Sequence, residues 1–168
     1  DGIDSFTDDD EVRLTFKAGQ GQPLLGTDGL LLEGQTFELS PESPETTVQN
    51  GFIRDGQLHA GPFETILPFV IYGVNYELVL TGAHLRARWT EDEVLTDGVV
   101  GAAVSIANLI QIGELAAQDD PSVLLGIEVL VGNSGDLEKD EDGVCQKLSA
   151  SLTFGAVSAY LFAEMEDQ

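Results

Sequence analysis

The longest run of alternating apolar and polar residues spans residues 76–90. Its apolar side chains occupy even positions up to Leu80 and odd positions from Ala83 onward, so the alternation slips by one residue at Thr81-Gly82. Successive side chains of a strand point to opposite faces, so such a slip requires a bulge or a chain reversal, and glycine suits both. The pattern favours one bulged or sharply bent strand.

The polar face of this strand is basic after the slip. His84, Arg86 and Arg88 share that face with Thr90, in a chain that has only seven lysines and arginines. Cross-strand pairing with acidic residues is the plainer interpretation, and a contact site for an anion or an acidic partner is the sharper one. We therefore take His84, Arg86 and Arg88 as candidate anion-contact or partner-contact residues.

Several other stretches have strand and turn signatures. Residues 11–17 alternate cleanly, and residues 148–154 begin a long final strand that we expect to continue to Leu161 and to pair with an early strand. Asn50-Gly51 and Asp55-Gly56 tolerate the positive backbone angles of hairpin turns, so they predict a meander. Residues 24–39 are interpreted as short strands, with turns at the Asp-Gly and Glu-Gly dipeptides.

The best helical pattern begins at Ile106. Apolar residues up to residue 117 lie on one helical face and polar residues on the other. Asp119, Asp120 and Pro121 then resemble a helix start, with a capping carboxylate before a proline. Residues 122–131 are apolar nearly all round, so they form either a second, buried helix or a core strand.

Many strands with glycine turns and a late helical segment are typical of a mainly β protein. We expect an antiparallel β-sandwich or flattened barrel, with one or two helices near residues 105–131 packed on one face or end. The length of 168 residues suits one domain with its own core. We assign residues 1–10 to a flexible acidic leader, residues 11–163 to a single β-rich domain and residues 164–168 to an acidic tail.

The chain is strongly acidic. Thirty Asp and Glu residues against seven Lys and Arg residues give a net charge of -23. This charge disfavours nucleic acid and anionic membranes as partners, and it favours cations, basic partners or high salt. A membrane-spanning helix needs about 18 or more consecutive apolar residues, and the sequence contains no such run. We expect no membrane span, although a lipid tether is compatible with the sequence.

Cys145 is the one cysteine, so an intrachain disulfide and a thiolate zinc cluster are excluded. The chain begins at Asp1 rather than at methionine, which suggests a processed or trimmed terminus. We expect an extracytoplasmic location, which includes the periplasm, the cell surface and the secreted fraction.

Acidic residues alternate in the segment before Gly143, at Asp136, Glu138, Asp140 and Asp142. Calcium takes about six to eight oxygen ligands, and alternate carboxylates before a turn glycine can curl around such an ion. The match to a calcium hand is partial, because Ser149 occupies the position of the usual bidentate glutamate. The four carboxylates are candidate calcium ligands, against the plainer interpretation of a solvated acidic loop. We expect no other cofactor.

Catalytic motifs are absent from the sequence. It has two histidines, His59 and His84, and it contains neither a Gly-x-Ser-x-Gly elbow nor a His-Glu-x-x-His helix. We therefore expect a non-enzymatic structural or interaction subunit whose acidic surface contacts protein partners, within a larger assembly. The alternative is a calcium-dependent module that binds a ligand such as a carbohydrate. A hydrolase with a carboxylate pair is the third hypothesis.

Overall fold

The computed structural model describes residues 2–41, 43, 45–71, 74–90, 94–116 and 121–162. Most of them lie in strands, which confirms the predicted mainly β class. The elements in chain order are β1 (Asp9–Phe16), β2 (Gln35–Glu38), β3 (Thr46–Arg54), β4 (Gln57–Ile71), β5 (Val74–Trp89), β6 (Leu95–Ser105), α1 (Ile106–Ala116), α2 (Pro121–Gly132), β7 (Leu137–Lys139), β8 (Cys145–Ala156) and β9 (Ala159–Phe162).

Seven strands form one antiparallel sheet, in the order β1-β3-β4-β5-β6-β8-β7. β2 and β9 form a separate parallel pair. The chain divides into two compact units. Unit 1 comprises Asp1–Gly61, Leu85–Val99 and Thr153–Gln168, and unit 2 comprises Pro62–His84 and Val100–Leu152. A single domain over residues 11–163 stays a prediction.

The core of unit 1 is built from alternate positions of β1, β3, β4 and the second half of β5. The alternation of residues 11–17 predicts that Val12 faces inward, and β1 confirms it, because Val12 is buried and its neighbours Glu11 and Arg13 are exposed. The fully or almost fully buried apolar residues of this unit are Val12, Val48, Ile53, Leu58, Ala60, Leu85 and Ala87.

The two predicted hairpin dipeptides behave differently. Asp55-Gly56 forms the turn between β3 and β4, with φ angles of 49° and 72°. The prediction of a turn at Asn50-Gly51 is wrong, since β3 runs through both residues. A Cβ atom at Gly51 would lie 2.5 Å from the Val12 carbonyl oxygen and 2.6 Å from Leu14 Cδ1. This glycine therefore permits the close approach of β1 to β3, at a point where their register shifts.

Residues of the predicted leader contact the β3–β4 hairpin and the end of β5 within unit 1. Gly56 N donates a hydrogen bond to the Thr7 carbonyl at 2.9 Å, and the rings of Phe6 and Trp89 lie 5.0 Å apart. The Asp9 carboxylate accepts backbone hydrogen bonds from Glu11 and Asp4, which lower its pKa. β1 starts at Asp9, inside the segment assigned to the leader. The flexibility of the leader stays a prediction.

The core of unit 2 centres on Leu80, Ala83 and Val104. Leu80 and Ala83 are both buried although they have opposite parity in β5, and Gly82 between them has a φ of 57°. This left-handed residue lets the buried face change parity within one continuous strand. One continuous strand through this point is confirmed, and a chain reversal is excluded.

Both described helices belong to unit 2. α1 packs on the core of this unit through Leu109, and it contacts α2. α2 shows that the ambiguous segment is a helix. At its end, the Asn133 side-chain amide and the Ser134 hydroxyl donate to carbonyls one turn earlier, at 2.8 and 2.7 Å. These bonds satisfy acceptors that a helix end otherwise leaves unpaired.

Two predictions concern residues that the structure does not describe. The predicted cap at Asp119 and Asp120 and the acidic tail at residues 164–168 lie outside the described residues. Among the helices of the described ranges, none is long and apolar enough to cross a membrane.

The last strand ends earlier than predicted. β8 stops at Ala156, and the chain resumes as β9 only at Ala159, so the continuous strand to Leu161 is wrong. A late strand does pair with an early one, because β9 lies parallel to β2. This pairing forms a separate sheet instead of extending the main one.

Candidate functional site

The small β2–β9 sheet of unit 1 is poorly covered. Its two strands pair in register from Gln35 with Ala159 to Glu38 with Phe162. All four residues of β9 are exposed, and Tyr160, Leu161 and Phe162 expose 67%, 49% and 49% of their surface. Parallel strands are normally covered on both faces. This apolar strand is therefore left largely open to solvent.

The chain before β2 adds more exposed apolar side chains. We call residues 24–32 the leucine loop. Its turn is closed by hydrogen bonds from Gly26 N to the Leu30 carbonyl at 2.8 Å and from Gly29 N to the Gly26 carbonyl at 3.0 Å. Asp28 Oδ1 also accepts from Leu30 N at 3.0 Å. The loop exposes between 39% and 67% of each of its leucines, which are Leu24, Leu25, Leu30, Leu31 and Leu32.

One side chain holds both ends of the leucine loop. Gln35 Nε2 donates to the carbonyls of Leu24 at 3.0 Å and Leu32 at 2.6 Å, and Gln35 Oε1 accepts from Leu24 N at 2.6 Å. Leu32 N also donates to the Leu24 carbonyl at 3.1 Å. Because Gln35 is the first residue of β2, these bonds fix the loop to the small sheet.

The leucine loop and β9 belong to one hydrogen-bonded piece of unit 1. Gly34 N donates to the Ser158 carbonyl and Leu39 N to the Phe162 carbonyl, both at 2.8 Å. The end of the leucine loop is therefore joined through Gly34 to Ser158, the residue that precedes β9. We call the exposed apolar residues of this piece the apolar face, although Leu161 points to the opposite side of the small sheet from Tyr160 and Phe162. It consists of Leu24, Leu25, Leu30, Leu31, Leu32, Tyr160, Leu161 and Phe162.

The segments that carry the apolar face contain acidic residues and no basic ones. Residues 18–39 include Asp28, Glu33 and Glu38 without a lysine or arginine. Grouped exposed apolar side chains rimmed by polar residues mark interaction surfaces, and the charge here favours a basic partner.

Unit 2 has exposed apolar residues of its own on α2. Leu125, Val129 and Leu130 expose 63%, 57% and 70% of their surface. Leu125 and Val129 are four residues apart, so they share one side of the helix. This side of α2 is the competing docking surface.

The structure places Arg86 and Arg88 on the exposed side of β5, between the buried Leu85 and Ala87. Neither arginine forms an ion pair with a residue in the described ranges. Three other basic residues are paired, namely Lys17 with Glu45, Arg54 with Asp10 and Lys147 with Glu138. In the described part of the chain the arginines therefore do not form the cross-strand ion pairs of the plainer interpretation. Contact with an anion or an acidic partner stays a prediction.

His84 is exposed in unit 2, where it lines an open depression of about 540 Å³. Glu138 and Lys147 line the same depression. Lys147 Nζ donates to Glu138 Oε1 at 2.7 Å and to Thr81 Oγ1 at 3.2 Å. The fold thus brings together His84, a candidate anion-contact or partner-contact residue, and Glu138, a candidate calcium ligand. The charge of Lys147 is already matched by Glu138, so the depression has little attraction for an anion.

Three of the four predicted calcium ligands, Asp136, Glu138 and Asp140, bind protein donors through their carboxylates. Glu138 pairs with Lys147, and Asp140 Oδ1 accepts from the backbone N–H groups of Asp142 and Val144 at 3.0 and 2.8 Å. Among the described residues, no three His, Cys, Asp or Glu side chains are grouped so that they could hold a metal ion. The structure therefore does not bring the four carboxylates together around one point, and calcium binding stays a prediction.

The carboxylate of Asp136 is bound by a single residue of β8. It accepts from Ser149 Oγ at 2.6 Å and from Ser149 N at 2.7 Å. The hydroxyl hydrogen bond is the larger cause, and the backbone bond the second, of a pKa below the usual value. A lowered pKa means that the ionised carboxylate stabilises the fold above its unfolded pKa, and that this stabilisation is lost as the pH falls through the folded pKa.

Replacing Ser149 with alanine should raise the pKa of Asp136 toward its usual value, because the larger of its two hydrogen bonds is removed. The carboxyl carbon of Asp136, followed by NMR between pH 2 and pH 6, measures this change. Ser151→Ala is the matched control, since Ser151 is exposed on the same strand and parity. An unchanged Asp136 titration in Ser149→Ala would show that the hydroxyl bond is not formed in solution.

The two histidines belong to different units. His59 lies in unit 1 and stacks on Phe52, with ring centroids 4.9 Å apart and an interplanar angle of 8°. His84 belongs to unit 2. His59 therefore has a packing role on the surface of the β3–β4 hairpin.

Comparison with known proteins gave no match to a family model, to a curated protein or to a solved structure.

The sequence pattern does not identify the apolar face. It predicts short strands over residues 24–39, whereas only residues 35–38 form one. A signal is present, because two leucine runs flank a Thr-Asp-Gly turn without the alternation that would bury one side of a strand. The role of Gln35 has no local signal, since its side chain bonds backbone groups up to eleven residues away.

Proposed function

We propose that this chain is a non-enzymatic structural and interaction subunit that docks a protein partner through the apolar face of unit 1. The observation that carries the proposal is the exposure of eight apolar side chains on a hydrogen-bonded scaffold. Single exposed leucines are ordinary on protein surfaces, but a group of them marks an interaction site. Tyr160 adds a residue type that is enriched among interface hot spots.

The order of the leucine loop makes it a better docking surface than a free chain. Fixing the backbone of one residue costs about 1–2 kcal/mol, and a partner of a disordered loop bears that cost on binding. The Gln35 bonds and the turn at Asp28 already fix the leucine loop. Its leucines can therefore be buried against a partner with little loss of conformational entropy.

The acidic surface fits a subunit that works in salty surroundings, outside the cytoplasm or at a cell surface. At a net charge of -23, the acidic side chains repel one another in dilute buffer. Salt shortens the screening length from about 10 Å at 0.1 M to about 3 Å at 1 M. The extracytoplasmic part of the proposal rests on this composition, and fractionation of the source cells tests it.

The docking proposal predicts that the chain is recovered from its source in a defined assembly, measured by native mass spectrometry. Leu30→Ser combined with Leu31→Ser should release the chain from that assembly, because both leucines lose their apolar contact. The matched control is Val129→Ser combined with Leu130→Ser on α2. Leu30 and Leu130 are exposed by 67% and 70%, so both variants change the surface and not the core.

Three outcomes would contradict this docking site. Release by the α2 variant alone would assign docking to α2. Retention of the assembly by both variants would show that neither apolar surface carries it. Recovery of the wild-type chain as a monomer would remove the subunit proposal itself.

A further inference from the structure

Resting on the docking function proposed above, we propose that the partner adds an extended strand, apolar and basic in character, to the open edge of β9. A strand edge presents a row of backbone donors and acceptors that another chain can pair with. The apolar face supplies the side-chain contacts and the edge supplies the backbone ones.

The two edges of the small sheet differ. The outer side of β2 is partly used by the chain itself, since Gln20 N donates to the Glu38 carbonyl at 2.7 Å and Ser40 N to the Ala18 carbonyl at 2.9 Å. β9 has β2 on one side, and no other described strand lies beside it. A two-stranded sheet is marginal in water, so a third strand at β9 stabilises it.

The backbone alternation of β9 identifies the groups that face the open edge. The carbonyls of Ser158 and Phe162 accept hydrogen bonds from the β2 side. Backbone groups alternate along a strand, so the N–H and carbonyl of Leu161 point to the open edge. An added strand can therefore bond to Leu161 without displacing any β2 bond.

The side chains of β9 are placed for the same pairing. Leu161 and its partner Phe37 lie on the same face of the small sheet, next to Gly19. A Cβ atom at Gly19 would lie 3.3 Å from Leu161 Cδ2 and 3.0 Å from Phe37 Cβ. Tyr160 and Phe162 lie on the other face, because side chains alternate. They are 67% and 49% exposed. Apolar residues at alternate positions of an added strand would cover them.

The charge around the edge selects the occupant. The three acids of residues 18–39, which are Asp28, Glu33 and Glu38 and have no basic residue among them, favour a strand that carries lysine or arginine at its polar positions. A second copy of this chain would bring the same three acids to the interface, and like charges placed together there cost several kcal/mol. The occupant that fits is a basic strand from a different protein.

The test uses the full chain and a phage-displayed library of random short peptides. Selection should enrich peptides that alternate apolar residues with lysine or arginine. The most enriched sequence is then synthesised in three forms: unmodified, and N-methylated at every second residue in either of the two parities. One methylated parity should lose at least about tenfold in affinity while the other keeps it, because only one parity turns its N–H groups toward β9.

Two protein variants locate the peptide. Tyr160→Ser should weaken binding of the unmodified peptide by about tenfold, and Leu130→Ser should leave it unchanged. Equal effects of both methylated parities, enrichment of peptides without alternation, or no enrichment would each overturn strand addition. If the Leu30→Ser/Leu31→Ser variant still releases the native assembly in such a case, the docking function stands and only the strand is wrong.

The second-copy alternative has its own readout. Sedimentation of the pure chain at high salt should give a monomer. A dimer that Tyr160→Ser dissociates would place a second copy on β9 and would overturn the basic partner.

Discussion

Replacing Ile53 with alanine should lower the free energy of unfolding by about 2–5 kcal/mol, the range measured for large-to-small changes in a core. Ile53 has 0% of its surface exposed and lies in β3, paired with Asp9 on one side and Leu58 on the other. Alanine leaves a cavity between strands that share the core of unit 1. Urea unfolding followed by circular dichroism measures the change, in buffer with enough salt to screen the acidic surface.

The neighbouring residue is the matched control. Phe52 is 38% exposed and stacks on His59, so Phe52→Ala should cost about 0.5–1.5 kcal/mol, the range for an aromatic pair. The order of the two effects tests which face of β3 is buried. A loss in Phe52→Ala equal to that in Ile53→Ala would mean that the alternation of β3 is assigned to the wrong face.

The parity of side chains made much of the fold predictable. In β5 the buried positions change from even to odd at Gly82, and the apolar residues of the sequence change at the same point. Asn50-Gly51 shows the limit of local patterns, because the dipeptide suits both a tight turn and a close backbone approach. The deciding contact is with Val12 and Leu14, which are distant in sequence.

Pairing between distant segments has no local signature. The parallel register of β2 with β9 joins residues near both ends of the chain, and alternation in either segment does not reveal it. The helix of residues 121–132 is a related case, since its apolar character fits a strand equally well. Asn133 and Ser134 at its end are the local feature that favours a helix, because their side chains bond its last carbonyls.

The candidate site was less predictable than the fold for a physical reason. The alternation of acidic residues predicts Asp136 and Glu138 as calcium ligands. The direction of each carboxylate depends instead on Ser149 and Lys147 of β8, which bind them. The leucine loop was missed because apolar residues are expected to be buried, and exposure is a property of the whole fold. The sequence alone does not show whether a partner covers these leucines.

Replacing Gln35 with glutamate should release the leucine loop and weaken the partner complex by about 30-fold or more. The substitution keeps the shape of the side chain but turns the Nε2 donor into an oxygen that faces the carbonyls of Leu24 and Leu32. Once the loop is free, a partner must order it again at about 1–2 kcal/mol per residue. Reordering two residues is enough for about 30-fold in affinity.

Hydrogen exchange of residues 24–32 and the recovery of the native assembly measure the two parts of this effect. Gln22→Glu is the matched control, because it adds the same charge to the same exposed segment without touching the leucine loop bonds. If exchange stays slow in Gln35→Glu, the backbone bonds at Leu24 and Gly26 hold the loop by themselves. If hydrogen exchange of residues 24–32 rises while the assembly persists, the leucines take no part in docking. The interface is then formed by β9.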